Sequence, residues 1–219
     1  MTYTALVQSF MVLYFRGVRD RGASMARPCL LFCLLSSVLL TGCLATPKAG
    51  PESEHQTQVL RQQLLGLGTQ VDSNEAGKVA AVSVDQAIEL SHQYRAVRPA
   101  WLHNVLVNRG FRERGLCFHW ANDLYLQLFD LHPKTLDLHL AVSKMDTKHE
   151  HNAIVVTARG IPFEQGLVLD GWRYSGRLWF VPVSTDTKYP WEPLPPDRFD
   201  PAIKKRLSPE TANPPRSFQ

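Results

Sequence analysis

The hydrophobic period of this chain changes at Pro133, and that change limits the folds open to it. Before it, apolar residues recur three and four apart, as on one face of a helix. Val59, Leu60, Leu64, Leu65 and Leu67 predict a short helix over residues 58 to 67. Val84, Ala87 and Ile88 predict a second over 84 to 94, with Ser83 as N-cap and Gln86 at the capping-box position. Gly66, Gly68, Asp72, Asn74 and Gly77 read as the loop between them. Trp101, Leu102, Val105 and Leu106 mark a third helix over 100 to 108, and Trp120, Ala121, Leu124, Tyr125 and Leu128 a fourth that opens near Cys117. After Pro133, residues 136 to 142 alternate as a strand does, and 151 to 157, 167 to 170 and 177 to 183 read as three more. Helices first and strands second predict an α+β domain, with N-terminal helices packed on one side of a small antiparallel sheet.

Ahead of the helices, Arg27 precedes an apolar run over residues 30 to 40 that ends in Leu40-Thr41-Gly42-Cys43. Basic start, apolar middle and small-residue end are the order of a signal peptide, and the run is too short to span a bilayer. The last four residues resemble the lipobox of bacterial lipoproteins. That resemblance implies cleavage after residue 42, acylation of Cys43 and attachment to a lipid bilayer in the cell envelope. Leu44, which is not an aspartate, implies sorting to the outer membrane, facing the periplasm. Residues 1 to 24 either form an unusually long basic region or precede a true start at Met25. Four of the 24 Lys and Arg and one of the 20 Asp and Glu lie in residues 1 to 42, leaving 20 against 19. So even a balance argues against a nucleic-acid partner.

Residues 43 to 57 then read as the lipidated N-terminus and a tether, 58 to 187 as the folded domain, and 188 to 219 as a Pro-rich extended tail. Trp191, Phe199 and Leu207 are the tail residues able to fasten it to the body. Of the four cysteines, Cys29 and Cys33 leave with the signal peptide and Cys43 becomes a thioether, which leaves Cys117 alone. A single unpaired cysteine in an exported protein points to a reactive or intermolecular thiol, with a buried inert thiol as the plain alternative.

A catalytic cysteine must reach the thiolate form, against a reference pKa of about 8.5. Gly115-Leu116-Cys117 ahead of a helical pattern places the sulfur in a first turn, beside free backbone N–H groups and the positive end of the helix dipole. The same N–H groups suit the oxyanion of a tetrahedral intermediate. The base should be a histidine on another element, held by a third group. His151 starts one strand and Asp170 ends the next, around the turn signal Arg159-Gly160-Ile161-Pro162. A symmetric hairpin pairs His151 with Asp170, Ala153 with Val168 and Val155 with Gly166, side chains of each pair on one face. A one-residue slip would separate them.

These segments, Gly115-Leu116-Cys117-Phe118-His119-Trp120-Ala121, His151-Asn152-Ala153-Ile154-Val155-Val156 and Val168-Leu169-Asp170-Gly171-Trp172, resemble the transglutaminase-like branch of papain-like cysteine hydrolases. The resemblance covers about residues 110 to 183. It implies Cys117 as nucleophile, His151 as general base then acid, Asp170 as orienting group, and no metal or other cofactor. Trp172, with Trp120, would shield the site or contact substrate. The chain lacks the Asp-Cys-Ser-Gly of NlpC/P60 peptidases, and Phe111 stands where papain-type enzymes place an oxyanion-hole glutamine. A zinc site from Cys117, His119, His149 and His151 is a competing arrangement, but Cys117 and His119 would diverge by about 200° around a helix. Arg173, Arg177 and Trp179 read as possible contacts to an acidic or aromatic substrate, or as a turn region. The expectation is a lipid-anchored cysteine hydrolase or acyltransferase acting on an amide bond of a peptide, protein or peptidoglycan-like substrate. The alternative is a non-enzymatic envelope lipoprotein that uses the same fold for binding or assembly.

Overall fold

The computed structural model describes residues 47 to 208; the signal region, the lipobox and Cys43 lie outside the described residues. Within them the fold is α+β, five helices and a five-stranded antiparallel sheet. Helix α1, Pro51–Leu65, opens with proline at its first turn and Glu52 and Glu54 beside it, both favourable at a positive dipole end. It begins inside the stretch expected as a tether and buries Leu60 and Leu64.

Helix α2, Ser73–Gln93, starts at 73 where its apolar pattern predicts 84, so residues read as a loop form its first three turns. Asp72, read as a loop residue, is its N-cap: the carboxylate accepts the N–H groups of Asn74 at 3.0 Å and Glu75 at 2.8 Å. Ser83 caps nothing, because its hydroxyl donates to the Val79 carbonyl within the helix. Helices α3, Ala100–Asn108, and α4, Cys117–Phe129, lie where the sequence puts them.

The sheet runs β4-β3-β2-β1-β5, with β1 Leu136–Ser143, β2 His151–Ala158, β3 Leu167–Asp170, β4 Trp179–Pro182 and β5 Trp191–Pro193. Every residue of the central strand β2 is buried, His151, Asn152 and Thr157 included, so the strand is covered on both faces. Leu140, Ile154, Val156 and Leu169 face the helices and meet Leu60, Val79, Leu124 and Leu128. On the other face Ala153, Val155 and Val168 pack beneath Phe163, Tyr189 and Trp191.

That second cover comes largely from the segment expected as a tail. Residues 191 to 193 add an edge strand to β1, where the ladder tolerates proline, and helix α5, Pro201–Leu207, starts with proline after the Asp200 cap. Ile203 is fully buried in the main core, a contribution of about 1.5 to 3 kcal/mol. Trp191 is buried and Phe199 packs at the core margin, whereas Leu207 is exposed. These prolines mark permitted positions in a folded segment.

Candidate functional site

The β2–β3 hairpin is shifted by two residues from the symmetric register. Val155 faces Val168, not Gly166, because the 3-10 turn Phe163–Gln165 takes up chain on the β3 side only. A shift of two preserves the face of every side chain, since the strand period is two. His151 therefore reaches Asp170 diagonally, with Nε2 and Oδ2 2.7 Å apart and the side chains 2% and 1% exposed.

Cys117 is the first residue of α4, after Leu116 as N-cap, and is partly exposed. Its sulfur lies 3.9 Å from the Glu150 carbonyl oxygen and 3.9 Å from the amide nitrogen of Asn152. The turn into the helix is fixed from three sides. Gly115 has φ +118°, and the His103 ring of α3 occupies the space a β-carbon would need. The His103 Nε2–H donates to the Arg114 carbonyl at 2.9 Å. His119 Nδ1 accepts the N–H groups of Gly115 and Leu116, and Trp120 Nε1–H donates to the Gly115 carbonyl at 2.9 Å.

His119 is thereby committed as a neutral acceptor; burial and then the Arg114 charge hold its pKa below the ordinary range. Trp120 is 3% exposed and packs with Leu90, Tyr94, Ala96 and Trp172, so it shapes the loop from within. The first turn closes through the N–H groups of His119 and Trp120 onto the Leu116 carbonyl. The N–H groups of Cys117 and Phe118 are left without an intrahelical acceptor.

Behind Asp170 runs a polar circuit. Arg173 donates to Asp170 through Nε and its backbone N–H, both at 3.0 Å, and its other end pairs with Asp186. Asp186 in turn accepts the Trp191 indole N–H at 3.0 Å. Arg173 is 8% exposed, so it is an internal clamp and not a substrate contact. Arg177 instead pairs with Glu52 at the surface, and Trp179 lies under the Arg173 guanidinium at 5.3 Å.

Three rings enclose the imidazole: Trp172 at 4.7 Å, Tyr189 at 4.4 Å and Trp191 at 5.4 Å between centroids. Trp172 lies in the turn after β3 and is steadied by its indole N–H on Asn104 Oδ1 at 2.9 Å. Burial alone would drive His151 down. The Asp170 charge and hydrogen bond, reinforced by the Cys117 sulfur, outweigh it and hold His151 up at about 9. Burial likewise pushes Asp170 up, but His151 and Arg173 together bring it below the ordinary carboxylate range.

A cleft of about 290 Å³ is lined by Phe118, Asn122, Glu150, Asn152, Leu194 and Phe199 among others, and Glu150 and Asn152 are also the residues nearest the sulfur. Phe111 is 69% exposed and borders a different cleft with Tyr94, Arg112 and Arg114. Among the described residues no three of His, Cys, Asp and Glu gather as metal ligands, and His149 is exposed. The arrangement places an imidazole and a carboxylate in hydrogen-bond contact and a thiol against the two residues that flank the imidazole, and those two residues also border the cleft.

Sequence reasoning missed Asp186, Tyr189 and His103, and assigned Arg173 outward. A signal existed only for Arg173, three residues after Asp170 beyond a glycine turn. The chain matches no known family, no curated protein and no solved structure.

Proposed function

We propose that this protein is a papain-like, transglutaminase-like cysteine hydrolase or acyltransferase acting on an amide bond of a peptide, protein or peptidoglycan-like substrate. We also propose that it is held to the cell envelope by acylated Cys43. The observation that carries the catalytic reading is the buried His151–Asp170 pair at 2.7 Å, with the Cys117 sulfur 3.9 Å from the Glu150 carbonyl and 3.9 Å from Asn152 Nδ2, the residues on either side of His151. With Nε2 engaged by Asp170, Nδ1 is the ring nitrogen left for the thiol.

In this mechanism Cys117 and His151 hold one proton between them as a thiolate–imidazolium pair, and the thiolate attacks the carbonyl carbon. A C–S bond forms, and the carbonyl electron pair moves onto oxygen. When the C=O bond reforms, the C–N bond breaks and His151 protonates the leaving amine. Water or a second amine, deprotonated by His151, then attacks the thioester and frees the sulfur. Asp170 keeps the imidazole in one tautomer and stabilises its cation. Arg173 keeps Asp170 ionised.

Outer-membrane anchoring is proposed from the lipobox resemblance; among the described residues no helix is long and apolar enough to cross a membrane. A thiol beside an imidazolium ionises readily, and iodoacetamide reports the thiolate. At pH 7 the wild-type protein should alkylate at Cys117 at least about tenfold faster than His151→Ala, with Cys117→Ser setting the background. Equal rates in wild type and His151→Ala would sink the catalytic reading.

A further inference from the structure

The helix start offers backbone N–H groups to an oxyanion, and Phe111, six residues upstream, points into solvent and offers none. We propose that the side-chain amide of Asn152 is the second oxyanion donor, oriented for that task by Glu150. This rests on Cys117 being the nucleophile.

Asn152 follows His151 in β2, so its side chain leaves the sheet by the opposite face, the one that packs against the helices. Its Nδ2 lies 3.9 Å from the Cys117 sulfur. The same nitrogen donates to Glu150 Oε1 at 3.2 Å. A carboxylate only accepts, so the NH₂ end of the amide must face Glu150, and that fixes which end also faces the sulfur. Glu150 is itself held, because its Oε2 accepts the Asp146 N–H at 2.8 Å.

At 3.9 Å the amide makes at most a weak bond to sulfur. The oxygen of a carbonyl whose carbon bonds that sulfur would lie between the two, where an oxyanion donor is needed at about 2.7 to 3.1 Å. Asn152 is 6% exposed yet borders the cleft, so its dipole acts in a poorly screened place. Being neutral, it can bind a developing negative charge without competing with the imidazolium for Cys117.

Two reactions at one sulfur separate this role from packing or thiol activation. The thiolate displaces iodide from iodoacetamide, forming C–S as C–I breaks with no oxyanion, whereas it is acylated by p-nitrophenyl acetate through a tetrahedral oxyanion that releases p-nitrophenolate. In the full chain, Asn152→Ala and the similarly sized Asn152→Leu are expected to slow acylation about 10²-fold and leave alkylation unchanged. Glu150→Ala should lower the acylation-to-alkylation ratio by a smaller factor, a ratio that mere loosening of the fold does not move. Equal losses in both reactions, or none in either, overturn the role of Asn152 while leaving Cys117 as nucleophile. Wild-type protein that neither alkylates faster than a free thiol nor releases p-nitrophenolate overturns the reading of the site on which this one rests.

Discussion

At the scale of single residues, His151 sets how the molecule responds to pH. Its folded-state pKa, about 9, stands above the ordinary 6.5. The group therefore stabilises the fold in full below 6.5, and this contribution is lost as pH rises through 9. The gap corresponds to roughly 3 kcal/mol, equivalent to a fall in melting temperature on the order of 6 to 12 °C. Asp170 acts at the other end: lowered from 3.8, it contributes above that value and loses its contribution as pH falls below it. Melting temperatures from pH 6 to 10 should decline in wild type and run nearly flat in His151→Gln over that alkaline range. A flat wild-type profile would mean that the imidazole carries no charge in the fold.

At the scale of elements, the turn that delivers Cys117 is where the structure is least forgiving. Gly115→Ala would need a side chain at φ +118° and a β-carbon that collides with His103 Nε2. The strain alone is about 1 to 3 kcal/mol. The variant should melt lower and alkylate more slowly, and adding His103→Ala should restore part of the stability by removing the collision but not the backbone strain. Thermal melts and alkylation rates of the two variants check this. Helices α3 and α4 and strand β1 were legible because their apolar residues keep a helix or strand period, and β2 and β3 because short apolar runs are bounded by turn residues. Residues 73 to 83 of α2 were not, since Asp72 looks the same in a loop as in a cap and Gly77 reads as a breaker. The hairpin register was half legible: the face of His151 and Asp170 follows from period two, but the two-residue shift depends on a 3-10 turn with no pattern of its own.

At the scale of the whole molecule, Arg173 is the bolt between the sheet and the C-terminal segment, gripping Asp170 on one side and Asp186 on the other. Arg173→Ala leaves Asp186 without its cation and Asp170 with His151 alone, a loss of about 3 to 5 kcal/mol. Denaturant melts should show that loss, and it should fall by half or more in Arg173→Ala with Asp186→Asn, where one of the two charges is removed. The long-range partnership was invisible in sequence because Pro-rich residues 188 to 208 carry no strong period, although they bury Tyr189, Trp191 and Ile203. The covering of His151 by Tyr189 and Trp191 also imposes an order of assembly. A chain is made from its N-terminus, so the sulfur, the imidazole and the carboxylate all emerge from the ribosome before the rings that roof them. The nascent molecule carries its thiol without a dry, fixed imidazole, and the centre is completed only when the last strand docks.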